Sequence, residues 1–212
     1  MPDVLTRAYA ERLLLLESLK RSLEEEVAEL LKNVPHVDRI SFRVKGPESF
    51  LKKALDPENQ PPYSEPLLEI EDQVAGRILV FFLSDIQAIV ERLRTMFTLI
   101  ERSRRRPARD EEFGYESEHL ICLIPPHVKP PEWFTRADLP TTIELQVRTI
   151  FMHAYAEPQH DLAYKTAADL PSETRRELSW IAASAWGADQ AYERVRRGRE
   201  QGKTQPPIQE VP

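Results

Sequence analysis

At 212 residues, 41% hydrophobic and 30% charged with a formal net charge of −6, the chain is long enough for one domain with a real core and tight for two. It has no apolar run near the roughly 18 residues of a membrane span and no basic excess of the kind that grips long nucleic acid. Its single cysteine, Cys122, excludes an internal disulfide and a cysteine-based zinc site. Residues 1–12 carry charge throughout and lack the apolar stretch of a secretory leader, so a cytoplasmic location is expected.

In chain order, residues 5–31 place Leu13, Leu16, Leu19, Val27, Leu30 and Leu31 at helical spacing between Glu and Arg. This predicts one long helix or two short ones, packed on the core or on another subunit. Residues 39–45 alternate, with Ile40, Phe42 and Val44 against Arg39, Ser41, Arg43 and Lys45, which predicts a half-buried strand. Pro47 opens a short helix over 48–55; the proline-rich stretch 56–66 reads as a loop, and 67–73 as a short helix. The apolar run 77–83 predicts a strand buried on both faces. Ser84 and Gln87 have the spacing of a capping box for a helix over 85–96. Further strands are expected at 97–103, 119–124 and 142–147, with a proline-rich loop at 125–140. Cys122, inside an apolar run, reads as core. Helices follow at 149–163 and from Pro171 to about Arg197, and residues 201–212 read as a mobile tail. Strands and helices alternate, so the expected class is α/β or α+β, with one mixed five-stranded sheet flanked by helices.

Three segments concentrate polar groups at strand ends. In the first, Arg43 and Lys45 share a strand face, Ser49 lies in the first turn of a helix whose N–H groups favour an anion, and Lys52 and Lys53 follow. These residues suit a triphosphate clamp, and equally a basic strand edge beside a helix. In the second, Glu69, Glu71 and Asp72 precede a small-residue turn and Arg77. Asp72 is a hard oxygen ligand suited to Mg²⁺. A guanidinium inside an apolar strand requires a partner or a stacked ring, and Asp72 pairing with Arg77 is the plainer reading. In the third, Glu144, Gln146 and Arg148 point to one strand face and Ile143, Leu145 and Val147 to the other. If Glu144 lies beside Asp72, the two carboxylates can hold Mg²⁺ and deprotonate a hydroxyl.

Two further stretches add to these. Tyr115, after Gly114, offers a flat ring from a loop for stacking on a base. His153, Glu157 and His160 fall on one helical face, with metal-ligand spacing interrupted by Pro158. Arg102, Arg104, Arg105, Arg106 and Arg109 form a basic run, either a solvated surface or a polyanion contact.

In this order, Arg43-x-Lys45-xxx-Ser49-xx-Lys52, Asp72-xxx-Gly76-Arg77-Ile78, Gly114-Tyr115-x-Ser117-x-His119, Glu144-x-Gln146-x-Arg148-Thr149 and the Ala156/His160/Tyr164-Lys165 pattern resemble the synthetase domain of the RelA/SpoT family. The resemblance runs from about Arg39 to Lys165. It implies a nucleotidyltransferase-like sheet and a synthetase domain over 35–200, after an N-terminal helical segment at 1–34 and before a tail at 201–212. By resemblance, Arg43, Lys45, Ser49 and Lys52 hold ATP phosphates, Arg77 stacks on adenine, and Asp72 binds Mg²⁺. Tyr115 stacks on the acceptor base with His119 and Gln146 nearby, Arg148 and His153 face phosphates, and Glu144 ligates metal or acts as base. The implied reaction is attack of a 3′-hydroxyl of GTP or GDP on the β-phosphorus of ATP, making (p)ppGpp and AMP. An alternative acceptor is the tRNA 3′ end or an adenine nucleotide, as in toxin members.

Glu116 stands where many relatives have a basic or neutral residue, Glu118 is acidic as well, and Gln159 replaces a glutamate common in small relatives. A hydrolase half and C-terminal regulatory domains are not expected, so control is expected from outside, through transcription, a ligand or a neutralising antitoxin; the resemblance also allows a homo-oligomer.

Overall fold

One five-stranded sheet, in the order β1-β2-β5-β4-β3, organises the molecule. Its strands are β1 (Val37–Val44), β2 (Val74–Val80), β3 (Leu99–Arg105), β4 (Ser117–Leu123) and β5 (Thr142–Thr149). The helices are α1 (Pro2–Ala10), α2 (Leu13–Leu31), α3 (Pro47–Ala54), α4 (Pro66–Glu69), α5 (Leu83–Leu93), α6 (Ile150–Leu162) and α7 (Ser172–Thr204). The structure, a computed structural model, describes residues 2–59, 61–107, 109, 112–162 and 170–204. Of the sequence patterns, Tyr164, Lys165, the His160 side chain and residues 205–212 of the expected tail lie outside the described residues. No described helix is long and apolar enough to cross a membrane.

β2 and β5 run parallel and every other pair is antiparallel, which makes the sheet mixed. Side chains alternate along strands, so residues in register across neighbouring strands share a face. One row joins Arg43, Ala75, Glu144 and Ile121, the next Ser41, Arg77, Gln146 and His119, and a third Arg39, Leu79 and Arg148. The opposite face carries Phe42, Ile78, Leu145, Val147 and Leu120. It packs in one core with Leu16, Leu19, Leu23 and Val27 of α2 and Ile89, Val90 and Leu93 of α5. One face is thus apolar and covered, while the other gathers polar side chains.

Gly76 shows how tightly the covered face packs. A Cβ there would lie 2.6 Å from the Phe42 ring and 2.7 Å from Leu145 Cδ2, both core side chains. Gly76→Ala is therefore expected to destabilise the fold by about 1–3 kcal/mol through overpacking, seen as a lower urea midpoint at unchanged slope.

Several boundaries differ from the sequence reading. The second strand is Val74–Val80, not 77–83, because the ladder begins where Val74 pairs with Val44 and Lys45 N–H donates to the Gln73 carbonyl at 2.9 Å. Phe82 is extended, and Leu83 already starts α5. The capping box at Ser84 does not form. Its hydroxyl and N–H both donate to the Glu193 carboxylate of α7, at 3.0 and 3.2 Å, while Gln87 bonds Glu91. The expected helix over 67–73 divides into α4 and a 3-10 turn at Glu71–Gln73, where the buried Gln73 amide donates to the carbonyls of Leu67 and Ile70. β3 takes in Arg102, Arg104 and Arg105, and α7 runs beyond Arg197 to Thr204.

The N-terminal segment breaks into two helices, and its first contacts are long-range. Tyr9 stacks on Phe50 at 3.9 Å and donates its hydroxyl to the Lys45 carbonyl at 2.7 Å. The fully buried Arg12 donates to the carbonyls of Leu67 and Asp138 and pairs with the Asp138 carboxylate at 3.0 Å. These contacts fasten the end of β1 and the turn before β2.

Candidate active site

The open face of the sheet ends in two carboxylate centres. Asp72, in the 3-10 turn that leads into β2, has both oxygens engaged: Oδ2 by Lys45 Nζ at 2.8 Å, just past β1, and Oδ1 by Lys53 Nζ at 2.9 Å, on α3. Burial pushes the Asp72 carboxyl up, but Lys45 and Lys53 more than offset it, and the group sits below the usual carboxylate range. Burial likewise pulls the Lys53 ammonium down, and Asp72 more than restores it, leaving Lys53 raised. Asp72 therefore pairs with lysines, and not with Arg77 as the plainer sequence reading had it. Arg43 is exposed on the same strand face as Arg77, and Ser49 and Lys52 are exposed on α3.

Glu144 lies in register with Ala75, three residues past Asp72, which brings the two acids into electrostatic contact. His119 Nδ1 lies 2.6 Å from Glu144 Oε1, and the Gln146 amide donates to Oε2 at 3.1 Å. A carboxylate only accepts, so Nδ1 carries the proton, and Nε2 lies 3.2 Å from the Tyr115 hydroxyl, within hydrogen-bonding distance. Tyr115, His119 and Glu144 thus form one relay. Burial raises the Glu144 carboxyl, but the bond and charge of His119 with the bond from Gln146 together more than offset it and hold the group below the ordinary range. The carboxylate is therefore ionised and can accept a proton from a hydroxyl brought within hydrogen-bonding reach.

Beside this relay two guanidiniums share one acid. Arg77 Nη1 and Arg148 Nη2 both lie 2.7 Å from Glu157 Oε1, on α6. Arg148 also reaches His153 Nδ1 at 2.7 Å and lies 5.5 Å from the centre of the Tyr115 ring. Burial, then the charge of Arg148, lowers the His153 pKa, so His153 is neutral and accepts from Arg148. Burial and Arg148 lower that of Arg77 as well. Glu157, which shares a helical face with His153, holds Arg77 and Arg148; no group of three or more metal-type ligands occurs among the described residues, which leave out the His160 side chain. α6 continues through Pro158 as a helix.

Every site residue expected from the sequence thus falls on the open face or at its ends. Glu144, Gln146, His119, Tyr115, Arg148 and His153 are joined by hydrogen bonds or a ring contact, Asp72 is joined to Lys45, and Arg77 to Arg148 through Glu157. Arg43, Ser49 and Lys52 stand at the rim. The acids at positions 116 and 118 answer the basic run: Arg104 pairs with Glu116 at 3.2 Å and Arg102 with Glu118 at 2.8 Å. Glu118 is in register with Val147, on the face opposite His119.

Residues 42–169 match the family described as the region found in RelA / SpoT proteins. The chain is 30% identical over 184 residues to the GTP pyrophosphokinase YjbM of Bacillus subtilis, covering 78% of this chain and 81% of that one. A GTP pyrophosphokinase family protein from Streptococcus pneumoniae superimposes with a TM-score of 0.76 at 22% identity, over 94% of this chain and 98% of that one. The small alarmone synthetase 1 of B. subtilis, bound to its product pppGpp, gives 0.71 at 23% identity, over 92% and 99%.

Proposed function

The chain belongs to the RelA/SpoT family, and on that premise we propose that it transfers the β,γ-pyrophosphate of ATP to the 3′-hydroxyl of GTP or GDP. The bond from the 3′ oxygen to the β-phosphorus forms, the α–β bridging bond breaks, AMP leaves, and the hydroxyl proton passes to Glu144. The observation that carries the reading is the relay Tyr115–His119–Glu144. It ties an ionised base to an aromatic ring that can stack on the acceptor base, within hydrogen-bonding reach at every link.

In this reading Arg43, Lys45, Ser49 and Lys52 take the ATP phosphates and Arg77 stacks on the adenine. Gln146 and His119 orient the acceptor, and Arg148 with His153 faces its phosphates. Phosphoryl transfer of this kind depends on positioning and on charge stabilisation, so the guanidiniums now shared by Glu157 are the groups a nucleotide would recruit. Asp72 and Glu144 fit Mg²⁺, since two adjoining carboxylates, completed by substrate phosphates, match how that ion is held; once bound, the ion neutralises charge developing on the transferred group. In this reading a protein that works on ATP and guanine nucleotides acts in the cytoplasm, where they are made and used. Ion pairs from Arg102 and Arg104 to Glu118 and Glu116 neutralise two of the five arginines that motivate a tRNA acceptor, which favours the guanine nucleotide.

The test is label transfer. Protein, Mg²⁺ and γ-labelled ATP are incubated separately with GDP, GTP, AMP, ADP or deacylated tRNA. Label is expected on the guanine nucleotides with equimolar AMP. Label on tRNA or AMP alone would replace the acceptor, and label on none would refute the transferase reading.

A further inference from the structure

Behind the sheet, on the face opposite Glu144, β3, β4, α5 and α7 enclose a half-open cavity of about 220 Å³. Its polar wall is two neutralised arginines. Arg102 is held by Glu118 and by the Gln87 side chain, and Arg104 by Glu116. Asp189 of α7 lies on the same cavity, 3% exposed. Its Oδ2 accepts from the Thr149 hydroxyl at 2.6 Å, and that hydroxyl is fixed in turn by the Met152 N–H. Asp189 Oδ1 is buried with no hydrogen-bonding partner among the described residues. A buried acceptor left unpaired is costly, and burial pushes the Asp189 carboxyl up to about 6, so the group is ionised at neutral pH. Trp186 supplies a flat apolar wall beside it. With three carboxylates, Glu116, Glu118 and Asp189, against two guanidiniums, the lining carries one net negative charge. It suits a donor and repels a phosphate.

We propose that this cavity binds a small planar molecule with paired N–H donors, which bond Asp189 while its flat face lies on Trp186. Two sources present that edge, a guanine base and an alkylguanidinium. The site lies across the sheet from the relay, and Glu116 and Ser117, which line it, directly follow Tyr115 in the chain. A ligand here therefore touches the segment that carries Tyr115 without entering the face that holds Glu144.

The test titrates the full chain calorimetrically with guanosine and, separately, with agmatine. Asp189→Asn keeps the volume and an acceptor for Thr149 while removing the charge and replacing one acceptor oxygen with an N–H group. Binding of at least one probe is expected, weakened about tenfold or more by Asp189→Asn. Trp186→Ala, a change at a partly exposed side chain, should weaken it too and serves if Asp189→Asn melts without cooperativity. Which probe binds decides between the sources. Failure of both probes to bind at millimolar concentration overturns the proposal. So does binding that neither substitution changes, or guanosine binding that Tyr115→Ala alone removes.

Discussion

Glu144→Gln is expected to lower the rate of pyrophosphate transfer by about 10²–10⁴-fold, the usual contribution of a general base, while the ATP dissociation constant stays within about threefold of wild type. The side chain keeps its size and its acceptor for His119 Nδ1, so the Tyr115–His119 link survives; only the capacity to take a proton is lost. Rapid-quench single turnovers with labelled ATP, set beside equilibrium ATP binding, separate the two outcomes. Loss of ATP binding along with turnover would make Glu144 an anchor for the nucleotide complex, not the base. The pH dependence carries the same sign. Glu144 is held below the ordinary carboxylate range, chiefly by His119 against burial, so the acid limb of transfer should lie below the usual glutamate pKa. The depressed value also means that the stability drawn from the His119 bond is present above the unfolded carboxylate's pKa and is lost as pH falls through the folded one.

The site was legible where chemistry follows strand alternation. Glu144, Gln146 and Arg148 recur every second residue between apolar neighbours, and the register places them on one face with Arg77 and His119. The five strands and the major helices were likewise visible as periodicities, with strand edges displaced by up to three residues and the end of α7 by seven. Those edges depend on pairing, which composition does not encode. Val74 and Ala75 join β2 because Val44 and Arg43 lie opposite them, and Ser84 abandons its local cap for Glu193, 109 positions away. The supports of the site were illegible for the same reason. Arg12 reaches Asp138 across 126 positions, and Tyr9 reaches Lys45, so nothing local marks either as a brace. Helical spacing put Glu157 on a face with His153 but could not say that the face meets two arginines from neighbouring strands.

Asp72→Asn should affect activity as strongly as the change at Glu144, through a different route. The aspartate is largely buried, its oxygens are divided between Lys45 and Lys53, and its depressed pKa keeps it charged at neutral pH. An amide of equal size offers one weakly basic oxygen in place of a carboxylate. The two ammonium groups then lose the charge between them, and on the proposed reading a hard cation would lose one of two carboxylate ligands. Transfer is expected to fall by about 10²-fold or more, and the Mg²⁺ concentration for half-maximal rate to rise. Lys53→Met keeps the carboxylate and frees one of its oxygens, so that concentration should fall or hold while ATP affinity weakens. Measuring initial rates across a Mg²⁺ titration for both variants decides the role. If added Mg²⁺ restores none of the activity of Asp72→Asn and the variant melts several degrees lower, Asp72 serves to join β1 to α3. If excess metal recovers activity in part and the melting temperature is nearly unchanged, the carboxylate holds the ion, and the lysines keep it ionised and aimed at the open face until the nucleotide arrives.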